Sequence, residues 1–166
     1  VFSVYVSTTP GRNSHIKFGD YDDHSVKAGK TLQMFQTNDI SEWSLPASVI
    51  HFNGATLISG VRRIEFDPHF PYIFIPKGDW THVAYVMGTQ ISVIDCDYSK
   101  MSCTLPGKCS TFSGYNYNLE IPLNDGVSSL TVSIPITHLM VPGSNFGDTD
   151  NLCYVAIFMN NIKNHD

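Results

Sequence analysis

The amino-acid sequence predicts a mostly β protein, and three patterns carry that prediction. Asn53-Gly54 stands between apolar runs. A tight hairpin turn needs positive φ at both central positions, and these residue types supply it most readily. Tyr117, Leu119 and Ile121 alternate with Asn118 and Glu120, and Leu130, Val132 and Ile134 alternate with Thr131 and Ser133. A period of two belongs to a strand with one buried face, so both segments are predicted strands. Helical spacing is confined to one place, where Trp80, Val83, Ala84 and Met87 recur at i, i+3, i+4 and i+7. Asp79 is placed to cap that helix and Gly88 to end it. Pro135, Pro142 and Gly143, with the polar stretch to Asp150, predict an irregular loop before a last strand.

The chain has 166 residues, enough for a single domain over 1–166 with a substantial core. Its net charge of -5 comes without a basic run or face, which makes nucleic acid and anionic membranes poor partners. No apolar stretch approaches the roughly 18 residues of a membrane-spanning helix. Internal repeats and low-complexity segments are absent from the sequence. The chain opens on Val1 inside a strand pattern, with no starting Met and no signal-peptide pattern. That opening is expected of a processed chain or an excised fragment.

One carboxylate stands out. In Ile64-Glu65-Phe66-Asp67-Pro68-His69-Phe70-Pro71-Tyr72-Ile73-Phe74-Ile75-Pro76, Asp67 sits within an apolar run. Taking a carboxylate out of water costs several kcal/mol unless it is paired, hydrogen-bonded or protonated, so Asp67 reads as a candidate site residue at the end of an inner strand. Asp-Pro also opens turns, and a plain turn residue is the structural alternative.

The run resembles the second active-site segment of pepsin-like aspartic proteases, in which an apolar strand delivers Asp-Thr-Gly and a second apolar strand leads to Pro. Asp67 and Pro76 keep that arrangement, whereas Pro68 and His69 replace Thr and Gly. The resemblance follows the order of the C-terminal lobe of a cathepsin D-like protease along nearly the whole chain. Val1-Phe2-Ser3-Val4-Tyr5-Val6 and Ile16-Lys17-Phe18-Gly19-Asp20-Tyr21-Asp22 are similar to its opening paired strands. Trp43 and Val49-Ile50-His51-Phe52-Asn53-Gly54 are similar to the strand and turn before the active-site segment. Ile94-Asp95-Cys96, Leu105-Pro106 and Leu152-Cys153-Tyr154-Val155-Ala156-Ile157-Phe158 fall where the family has a disulfide and its last core strands.

The resemblance implies closed or orthogonally packed antiparallel sheets with one or two short helices. It also implies an N-terminal lobe, on another chain or a missing segment, as a partner. Asp67 becomes the catalytic candidate, with Pro68, His69, Phe70 and Tyr72 lining a cleft for a protein or peptide ligand. The family's two aspartates share one proton across a water and are held by backbone N–H groups and a neighbouring hydroxyl. Proline lacks the N–H, histidine is bulky where glycine allows close approach, and neither supplies threonine's hydroxyl. The half-site is therefore degenerate.

Cys96, Cys103, Cys109 and Cys153 permit three pairings, among which sequence alone does not choose. The resemblance implies Cys96 with Cys153, leaving Cys103 and Cys109 to close a small loop. An even count fits an oxidising compartment, meaning secretion or a lysosomal or vesicular lumen. The spacings lack Cys-x-x-Cys, so no metal is expected. Gly-x-Ser-x-Gly, the phosphate-binding Walker loop and Gly-x-Gly-x-x-Gly are absent, and no cofactor is expected. His15, His24, His51, His69, His82, His138 and His165 form no ligand pair at helical or strand spacing, and His69 beside Asp67 reads as loop filling in preference to a carboxylate partner. Phe66, Phe70, Tyr72 and Phe74 read as core and cleft wall. Three functions follow as expectations: an inactive lobe serving as a binding or scaffold module, the C-terminal lobe of an active two-chain aspartic endopeptidase, or a structural subunit of a larger assembly. The broken Asp67-Pro68-His69 motif favours the first over the second.

Overall fold

The computed structural model describes residues 2–5, 11, 13–21, 26, 28–29, 33–37, 43–67 and 70–160. Pro68, His69, His24 and His165 lie outside them. The chain divides into two compact units, Val1–Met34 and Phe35–Asp166. In the first, β1 (Phe2–Tyr5) pairs antiparallel with β2 (His15–Phe18), from Phe2↔Phe18 to Tyr5↔His15. These are the paired strands expected at the start of the chain.

The second unit is mostly β. One sheet contains β3 (Ser44–Ala47), β4 (Ile50–Phe52), β5 (Ala55–Ile58), β6 (Arg62–Glu65), β10 (Asn118–Asn124) and β11 (Ser129–Pro135). Its strands run β5-β4-β10-β3-β6, with β11 also paired to β10, and all its pairings are antiparallel. The other sheet contains β7 (Ile73–Pro76), β8 (Asp95–Asp97), β9 (Ser102–Leu105), β12 (Met140–Pro142) and β13 (Cys153–Asn160). It runs β12-β13-β9-β8, and β7 joins β13 in parallel.

Local chemistry explains the first sheet. Asn53 and Gly54 take φ 49° and 79°, so the predicted two-residue turn joins β4 to β5. A register shift between Ile50↔Ile58 and His51↔Thr56 leaves Leu57 as an extra residue. This bulge lets consecutive Leu57 and Ile58 both be buried, against the alternation of a regular strand. The predicted strand around Leu119 and Ile121 is the sheet's centre, with Leu119 and Leu123 buried. Pro122 cannot donate to a ladder, yet it fits here because it faces the break between β3 and β4, where Ser48 N–H donates to its carbonyl at 3.1 Å.

The helix α1 (Lys77–Gln90) buries Trp80, Val83, Val86 and Met87 and packs against β5, β7, β8 and β13. Trp80, Val83 and Met87 of the predicted stripe are buried, Ala84 is half-buried and Val86 joins the buried face, while the helix ends differ from expectation. Pro76 occupies the N-cap position without a side-chain cap. Asp79 lies inside the first turn, where its carboxylate receives Arg62 Nη2 at 2.9 Å and Nε at 3.2 Å. A proline with φ -55° already has the entry geometry, so the helix starts earlier than a capping aspartate would place it. Gly88 continues the helix, which stops when Ile91 turns extended. The predicted loop before the last strand contains 3-10 turns at Ile136–His138 and Gly143–Phe146, with β12 between them.

The disulfides are Cys96–Cys103 and Cys109–Cys153, not Cys96–Cys153 and Cys103–Cys109. Cys96 and Cys103 are direct cross-strand partners on β8 and β9, with Cα atoms 4.0 Å apart. Cys109 opens a 3-10 turn after β9 and reaches Cys153, which is aligned with Leu105 at the start of β13. Two bridges fit an oxidising, extracellular or lumenal setting. Among the described residues no helix is long and apolar enough to cross a membrane.

Candidate functional site

The segment 62–76 is a crossing between sheets. It leaves the first sheet at β6, a strand that ends the sheet's order, and enters the second at β7. Phe66 N–H donates to Trp43 C=O at 2.8 Å, and Phe70 N–H donates to Asp67 C=O at 3.3 Å, so Asp67 opens a turn. Asp67 is exposed. The sequence reading places Asp67 at the end of an inner strand, facing a groove or a partner; in this chain it follows β6 and is exposed. Phe66 and Phe70, 47% and 56% exposed, belong to the crossing rather than to the core.

The apolar residues after Asp67 build a different feature. Phe70 meets Phe74 edge to face with centroids 5.5 Å apart. Phe74 lies 6.3 Å from Phe158, its register partner on β13. Phe158 packs 5.2 Å from Tyr72 and 5.7 Å from Phe146, and Phe146 lies 4.9 Å from Tyr154. Offset and edge-to-face geometries at such separations are favourable beyond the area they bury. The result is a continuous row of six rings on one side of the second sheet. Tyr72, Tyr154 and Phe158 are half-buried, whereas Phe70, Phe74 and Phe146 are exposed.

Strand periodicity supplies the scaffold. Residues 154 and 158 share a face of β13, while the buried Val155, Ile157 and Met159 point into the core. That period-two signal was available in the sequence. The meeting of β7 with β13 was not, because the two strands are far apart along the chain.

The far end of the row carries a fixed charge. Tyr154 O–H donates to Asp148 Oδ2 at 2.9 Å, and Asp150 N–H donates to Asp148 Oδ1 at 2.8 Å. The Asp150 N–H bond, then the Tyr154 hydroxyl, hold Asp148 below the ordinary carboxylate range. Burial, then Asp148, raises Tyr154 above its ordinary value, so at neutral pH Tyr154 is a neutral donor to a carboxylate. Of the predicted cleft residues, the structure joins Phe70 and Tyr72 in one row. Among the described residues no cluster of three or more His, Cys, Asp or Glu side chains is arranged to hold a metal ion. Neither the protein-family models nor the curated proteins compared with the sequence give a match.

Proposed function

We propose that this chain is a pepsin-like lobe that works as a protein- or peptide-binding module and not as a peptidase. The observation that carries the reading is the row from Phe70 through Tyr72, Phe74, Phe158 and Phe146 to Tyr154. Aromatic side chains held on β7, β13 and the turns beside them supply large contact area at low entropic cost, and contiguous exposed apolar surface marks interaction sites. The colinear resemblance to a pepsin-like C-terminal lobe supports the fold assignment. The loss of Thr and Gly beside Asp67 supports the absence of catalysis. A second lobe, on another chain or segment, is one candidate partner, and an oxidising lumen or secretion is the proposed setting.

Catalysis by an aspartic pair needs two carboxylates within reach of one water, with donors from both loops. Incubation with a generic unfolded protein between about pH 3 and 6, where a carboxylate pair can share a proton, is expected to yield no cleavage, even with a second lobe present. Pepstatin-sensitive cleavage that disappears in Asp67→Asn would instead establish the two-chain endopeptidase.

A further inference from the structure

Among the described residues β11 pairs with β10 alone, leaving its other edge open. Two bonds at the ends of this hairpin fix which groups face outward. Ile136 N–H donates to Tyr117 C=O at 2.8 Å, and Asp125 N–H donates to Ser128 C=O at 3.2 Å. Bonded pairs recur every second residue in an antiparallel ladder, so Leu119–Ile134, Ile121–Val132 and Leu123–Leu130 exchange bonds inside the hairpin. Ser129, Thr131 and Ser133 therefore turn their N–H and C=O groups away from β10. The opposite side of β10 agrees, because Asn118 C=O accepts from Asn53 N–H at 2.8 Å.

Proteins protect open edges with charges, proline, bulges or short strands. This one has seven residues in unbroken register with β10. Its single proline is the last residue, Pro135, and no charged residue stands between Asp125 and His138. We propose that the β11 edge is the contact between two copies of this chain, paired antiparallel about a twofold axis at Val132.

The edge is complementary to itself in register, and electrostatics do not oppose a second copy as the occupant. A twofold axis sets every residue opposite one from the same strand, so an edge bearing charges of one sign repels itself. The chain carries a net charge of -5, yet this stretch is neutral. An axis at Val132 sets Thr131 opposite Ser133 of the partner subunit, both with outward backbone groups. It also covers Leu130, 40% exposed, with Ile134 of the partner subunit. The first sheets of the two copies then join into one.

Sedimentation velocity of the full chain over rising concentration reads the association. The expected result is a shift from one-chain to two-chain mass. Thr131→Pro removes an outward N–H and no bond to β10, so it is expected to abolish the shift. Thr131→Lys with Ser133→Lys places like charges opposite each other at exposed positions and is expected to abolish it with an unchanged melting temperature. Because all four native cysteines are bridged, Val132→Cys supplies the one free thiol. Mild oxidation is expected to link two copies through it. A one-chain mass throughout, or a dimer indifferent to both edge variants, overturns the proposal. So does failure of Val132→Cys to cross-link, or binding of an unrelated extended peptide at this edge without self-association.

Discussion

Phe74 and Phe158 are register partners on parallel strands, with their rings 6.3 Å apart, so the half-exposed aromatic row is fixed to the sheet that holds the core. Phe158 also touches Tyr72 and Phe146, whereas Phe74 is 43% exposed. Phe158→Ala is expected to cost roughly 2–3 kcal/mol, below the range for fully buried Phe, and Phe74→Ala about 1 kcal/mol. Urea denaturation of the two variants measures the order. Equal costs would mean that Phe158 does not anchor the row.

Arg62 and Asp79 tie β6 to the first turn of α1 through two hydrogen bonds. Asp79 also sits where the helix dipole favours negative charge. The Arg62 side chain is 40% exposed, so screening limits the pair to about 0.5–1 kcal/mol. A double-mutant cycle with Arg62→Ala and Asp79→Ala should return a coupling of that size, reduced in high salt. A zero coupling would remove the pair from the account of helix placement.

The two disulfides should contribute unequally. Cys109 and Cys153 are 44 residues apart in sequence, and Cys96 and Cys103 only 7. Chain entropy gives about 4 kcal/mol for the long loop and about 2.5 kcal/mol for the short one. Replacing Cys109 and Cys153 together by Ser should therefore lower the melting temperature more than replacing Cys96 and Cys103. Mass spectrometry of non-reduced peptides reads the connectivity, and a Cys96–Cys153 bridge would refute it.

Acid should destabilise the fold through three aspartates. Asp97 is lowered first by the Ser99 hydroxyl, Asp125 by the Ser128 N–H and Asp148 by the Asp150 N–H. A depressed folded-state value means that the folded chain holds fewer protons than the unfolded chain. The stabilisation is fully present above the ordinary aspartate value of about 3.9 and is lost as pH falls through the folded values. Asp125→Asn should show a shallower loss of melting temperature in that window than the parent chain. A parallel pH profile would contradict the assignment.

Much of the fold was legible because short-range rules govern it. The Asn53-Gly54 turn, the alternation around Leu119 and Val132, and the Trp80, Val83 and Met87 stripe each depend on neighbours a few residues away. The disulfides did not yield to the same reading, since pairing depends on which strands the topology sets side by side. Around Asp67 the apolar neighbours suggest burial, yet Phe66 and Phe70 are exposed on a crossing between sheets. Prolines at 135 and 142 concealed the short strand β12, which lies between two 3-10 turns. Half of the candidate row, Phe70, Tyr72 and Phe74, was visible as a cluster, while Phe146, Tyr154 and Phe158 join it only through tertiary contact.

Binding through that row is tested most directly by a displayed random-peptide selection. The wild-type chain serves as target and the Phe70→Ser, Phe74→Ser double variant as counter-target, since both side chains are exposed and their loss spares the core. Enrichment of peptides on the wild-type chain that fail to bind the folded double variant is the predicted result. No enrichment, or equal binding to both proteins, would contradict it.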